Sequence, residues 1–83
     1  MRNPMNFELA PEEYWKKLTL SDSQLYCFAL NIDGKTGWRL PTYNECVIAD
    51  GVLGDGWNQK DIGNEYFTRN PTRYYCYPVR DLQ

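Results

Sequence analysis

The chain of 83 residues carries nine basic and eleven acidic side chains and no histidine, a formal charge of −2, with 42% hydrophobic and 16% aromatic content. So short a chain supports one small domain and buries only about 60–65% of its unfolded surface, so large rings that each bury roughly 150–250 Å² must fill much of the core. The acidic balance gives no general attraction for nucleic acid or an anionic membrane surface, and no apolar run approaches the roughly 18 residues that span a bilayer.

In chain order, residues 6–9 alternate polar and apolar and predict a short opening strand. Pro11 then opens a helical turn, with Glu12 and Glu13 at its positive end, Lys16 and Lys17 at its negative end, and Tyr14, Trp15 and Leu18 turned inward. Ser21 followed by Gln24 is a capping-box pattern that predicts a second helix over residues 22–31, burying Leu25, Phe28 and Ala29 at helical spacing. Asp33-Gly34 and Gly37 supply a tight turn, and Trp38-Arg39-Leu40-Pro41 reads as a short extended stretch. Thr42 and Glu45 form another capping box, opening a helix in which Tyr43, Cys46 and Val47 share a face and which Gly51 stops. Residues 51–63 have no regular period and predict a surface loop anchored by Trp57. Residues 65–69 and 73–80, rich in aromatic and β-branched side chains on either side of Asn70-Pro71-Thr72, predict an antiparallel hairpin, with Pro78 at an edge or bulge. The expected fold is therefore α+β: one domain over residues 1–83, with two to three short helices packed on a small antiparallel sheet that ends in a C-terminal hairpin.

The stretches Leu25-Tyr26-Cys27-Phe28-Ala29-Leu30-Asn31 and Gly37-Trp38-Arg39-Leu40-Pro41-Thr42-Tyr43-Asn44-Glu45, with Tyr66-Phe67-Thr68 and Tyr77-Pro78-Val79-Arg80 further on, resemble the C-terminal domain family of the Lcl collagen-like adhesins. The resemblance runs over roughly residues 12 to 82. It implies a C-type-lectin-like fold, related to that of the formylglycine-generating enzymes, which share a Trp-Arg-Leu-Pro-like signature. It also implies a scaffold role for that signature: Trp38 and Leu40 fill core, Pro41 ends the stretch, Arg39 fixes neighbouring backbone or a carboxylate, and Arg80 holds Glu45 or a loop carbonyl. The chain is shorter than the family between Glu45 and Tyr66 and after Thr68, where lectin-like domains place their ligand loops. Short relatives in bacteriophage genomes imply a viral origin. Function does not come with the fold, because it resides in sites placed on folds.

Chemistry-bearing residues are few. Cys27, Cys46 and Cys76 are an odd set without C-x-x-C spacing and are expected as buried free thiols, not a disulfide framework. No metal site and no cofactor is expected, and Asp50, Asp55, Asn58 and Asp61 lack the spacing of an EF-hand loop. With no G-x-S-x-G, no P-loop and no evident base beside a cysteine, the reading is a non-enzyme. Val52, Leu53 or Trp57 from the glycine-rich loop, with Arg73 and Tyr74 from the adjacent strand, are the candidate binding patch, since Tyr, Trp and Arg concentrate at energetic hot spots; the competing reading is that Trp57 folds back to cap the core. The expectation is a non-catalytic protein-binding module, in the form of a phage protein that binds or inhibits a host protein. The alternatives are a structural virion component or homo-oligomer, and a glycan-binding lectin-like domain. The expected location is the cytoplasm, that of the host for a phage protein, or the virion.

Overall fold

The computed structural model describes residues 6–49 and 56–82. The two ends of the chain pair with each other. β1 (Phe7–Leu9) runs antiparallel to β4 (Val79–Asp81), placing Phe7 opposite Asp81 and Leu9 opposite Val79. β2 (Lys16–Leu18) runs antiparallel to β3 (Tyr74–Cys76), placing Leu18 opposite Tyr74. Pro78 falls in the break between the two ladders, where its missing N–H costs nothing and its carbonyl still accepts from Ala10 N at 2.9 Å.

Between the paired ends lie α1 (Leu20–Ala29), α2 (Tyr43–Ile48) and α3 (Glu65–Arg69), with 3₁₀ turns at Glu12–Tyr14 and Gln59–Asp61. The class is mixed α+β, and the second capping box forms as read: the Thr42 hydroxyl accepts from Glu45 N while the Glu45 carboxylate accepts from Thr42 N.

Other boundaries differ for identifiable reasons. The helical turn after Pro11 ends at Tyr14, and Lys16 to Leu18 extend because β3 offers them a ladder. The N-cap of α1 is Thr19, whose side chain accepts from Asp22 N, so the helix begins two residues before the expected position and Ser21 lies within it. Residues 65–69 are helical, not the first strand of a hairpin. The Asn64 side chain caps Tyr66 N, Glu65 and Arg69 complement the helix dipole, and β3 takes β2 as its partner instead.

Among the described residues the interior forms two buried clusters. One gathers Leu20, Cys27, Trp38, Leu40, Trp57 and Cys76 along with Ala10 and Ile32. The other joins Phe7, Ala49, Tyr77 and Val79, with Trp15 packed edge-on against Tyr77 at a ring separation of 5.0 Å. Among the described residues no helix is long and apolar enough to cross a membrane.

Candidate functional site

The Trp38 to Pro41 stretch is clamped as an extended segment by a two-way bridge. Arg39 N donates to the Val79 carbonyl at 2.7 Å and Val79 N donates to the Arg39 carbonyl at 2.8 Å. Alternation along extended backbone then sends Trp38 and Leu40 inward and Arg39 outward. The Trp38 indole N–H donates to the Lys35 carbonyl at 2.9 Å, and Pro41 is fully buried. Arg39 grips Glu45 through two nitrogens at 2.7 and 2.8 Å and also reaches Asp81. That fork lowers the Glu45 pKa, an effect that burial opposes and the Thr42 N–H reinforces. Arg80 does not hold Glu45. It donates to Glu8 at 2.9 Å and to the Thr36 carbonyl at 3.2 Å, with its guanidinium 5.9 Å from the Trp38 ring centre.

Of the two readings of the loop, the structure bears out for Trp57 the one in which it folds back on the core. Trp57 is fully buried at 0% exposure, its indole N–H donating to the Leu18 carbonyl at 2.8 Å. It therefore belongs to the core and not to a surface. Val52 and Leu53 lie outside the described residues. Arg73 is exposed, and Tyr74 is half exposed with its ring 4.9 Å from that of Trp57, edge to face. Tyr74 thus covers the core at the rim of a 250 Å³ pocket that it shares with Phe67, Asn58 and Asp61. Asn58 and Asp61 are already spent on capping the 3₁₀ turn between them.

A different apolar face stands open. On α1 the buried stripe is Leu20, Ser23 and Cys27, not Leu25, Phe28 and Ala29. Leu25 and Phe28, one turn apart and so on one side of the helix, are 66% and 87% exposed. Phe28 stands beside a groove of about 210 Å³, lined also by Trp38, Leu40, Cys27 and Ile62. Ile62 is itself 44% exposed, which carries the apolar surface from α1 across the groove. On α2, Tyr43 and Val47 are likewise exposed, and the partly buried side chain that packs on the core is Cys46.

Under the groove lies a thiol pair that sequence spacing did not suggest. Cys27 Sγ and Cys76 Sγ are 3.3 Å apart, and both residues are buried as free thiols. Cys46 is a free thiol of intermediate burial. Among the described residues no group of three or more His, Cys, Asp and Glu side chains is placed to hold a metal ion. Comparison with family models, with curated proteins and with solved structures finds no match for this chain.

Proposed function

We propose that the chain is a non-catalytic protein-binding module whose contact face is the outer side of α1 and the adjoining groove, with Phe28 as the central anchor. The observation that carries this reading is Phe28 at 87% exposure, flanked by exposed Leu25 and Ile62 at the mouth of a groove of about 210 Å³. Large apolar side chains gathered on one face, over an area on the order of a few hundred Å², mark interaction surfaces; scattered single residues do not. An aromatic knob next to a hollow suits a partner that inserts an apolar side chain of its own, the arrangement in which hot spots on two surfaces pair. Arg39 and Gln59 at the groove give the polar margin that such contacts have. A host protein is the partner this reading names for a phage-encoded chain; the bacteriophage origin rests on the resemblance to the Lcl C-terminal domain family.

The test compares the parent with Leu25→Asp/Phe28→Asp. Neither side chain belongs to a buried cluster, so the variant is expected to keep the parent's melting temperature and far-ultraviolet spectrum. The parent recovers a saturable protein partner from bacterial lysate, binding is reproduced with the purified partner, and the variant loses it. A partner bound equally by both proteins would refute this face. Sedimentation of both proteins covers self-association: a parent dimer that the variant abolishes would make a second copy the partner.

A further inference from the structure

We propose that Cys27 and Cys76 are a reversible oxidation site, a buried dithiol that hydrogen peroxide converts into an intramolecular disulfide tying α1 to β3. This inference is independent of the protein-binding reading. The two residues stand 49 positions apart in the chain, yet their sulfurs lie 3.3 Å apart. Closing that gap to the roughly 2.05 Å of a sulfur–sulfur bond is a side-chain adjustment. The elements that carry them are both anchored, α1 by its Thr19 cap and β3 by its ladder to β2.

Ser23 faces the pair with its backbone, its carbonyl accepting from Cys76 Sγ at 3.8 Å. The Ser23 hydroxyl is fully buried one turn before Cys27 and, among the described residues, has no hydrogen-bond partner. A buried donor without an acceptor is a costly feature that needs an explanation. Ionisation within the thiol pair would give that hydroxyl an acceptor, and the pair's own hydrogen bond favours that: Cys27 lowers the Cys76 pKa, burial opposes this, and Ser23 adds a smaller lowering. The Cys27 pKa is pushed far up, first by its bond to Cys76 and then by burial, and either sulfur can be the donor in that bond. Passage of the shared proton between touching sulfurs moves the negative charge to Cys27, the member of the pair that lines the groove. A small uncharged oxidant reaches it there.

The chemistry balances without a further reagent. The Cys27 thiolate attacks one peroxide oxygen; the O–O bond breaks and the departing hydroxide takes a proton to become water. The resulting sulfenic acid is attacked by the Cys76 sulfur, which gives up its proton, and the hydroxyl leaves as a second water. Two thiols lose two electrons, and one peroxide is reduced to two waters. The resolving sulfur is already in contact, so the sulfenic acid is trapped before it can advance to the sulfinic state. Cys46 is the internal control. It is a free thiol of intermediate burial that is not part of the sulfur pair, so it has no resolving thiol in contact.

The whole chain is titrated with hydrogen peroxide, denatured, alkylated and measured by mass spectrometry. The expected product is a monomer lighter by two hydrogens, with Cys27 joined to Cys76, Cys46 still alkylated, and full reversal by dithiothreitol. Its melting temperature should rise by roughly 10 °C or more, because the bond closes a long loop of the unfolded chain. Cys46→Ser must react like the parent, and Ser23→Ala must give the same product several-fold more slowly. Alkylation of both Cys27 and Cys76 after peroxide treatment, oxidation of Cys27 to sulfinic acid, or a bond involving Cys46 would each overturn the proposal. The Cys46→Ser protein settles it independently of whether substitutions at the buried pair fold.

Discussion

Replacing Trp57 with alanine tests whether this ring is an anchor of the interior or part of a contact surface. The indole is fully buried, donates to the Leu18 carbonyl at 2.8 Å, and meets the rings of Phe67 at 5.1 Å and Tyr74 at 4.9 Å edge to face. Truncation of a buried Trp costs about 3–5 kcal/mol, and the orphaned Leu18 carbonyl adds roughly 1 kcal/mol or more. A domain of this length holds about 4–12 kcal/mol in total, so Trp57→Ala should leave the fold marginal or lost. Trp57→Phe keeps much of the ring burial but loses the hydrogen bond, and should lower the melting temperature by roughly 5–15 °C. Thermal and urea melts followed by far-ultraviolet circular dichroism measure both. A Trp57→Ala protein that melts within a few degrees of the parent, yet has lost its partner, would refute the burial and restore Trp57 to a binding surface.

Gly56→Ala should destabilise by about 1–3 kcal/mol, because a Cβ there would overlap the edge of the Tyr77 ring and lie 2.8 Å from the Tyr75 carbonyl oxygen. Tyr77 is buried between Trp15 and Tyr75 and has little room to yield, so an unchanged urea midpoint would show that this packing is misjudged. Stability should also fall in acid through Glu45. The Arg39 fork holds its folded pKa below the ordinary 4.5, so its contribution is complete above about that pH and is lost as the pH drops through the lower folded value. Glu45→Gln should therefore be less stable than the parent near neutrality and show a shallower decline between pH 5 and pH 3, to be read from urea midpoints across that range. Equal acid slopes in the two proteins would refute the assignment.

Legibility in the sequence followed the range of the interaction. The Thr42 and Glu45 capping box rests on neighbours within four positions and forms, and the alternation over residues 6–9 marked the strand that forms at 7–9 without naming its partner. The same local logic failed where a second local solution was available. Thr19 outcompetes Ser21 as a cap, and an aromatic segment at residues 65–69 coils because Asn64 caps it. Pairing of first strands with last spans most of the chain, and no spacing rule specifies it. The thiol pair shares that origin, since Cys27 and Cys76 meet only once α1 is laid beside β3.

The misread face of α1 has a further physical cause that also locates the candidate site. Leu20, Leu25, Tyr26, Cys27, Phe28 and Ala29 spread apolar groups around much of the helix, so hydrophobicity alone cannot choose the buried side. What chooses it is volume: the stripe that packs inward ends in the small side chains Ser23 and Cys27, which share the interior with the large Trp57 ring and with Cys76. Interiors are close-packed, so a large ring contributed from elsewhere in the chain calls for small neighbours on the helix it meets. Leu25 and Phe28 are left outside as a result. A composition this rich in aromatic residues carried the warning, because a small domain has too little interior to hide every large side chain and the remainder is left at the surface.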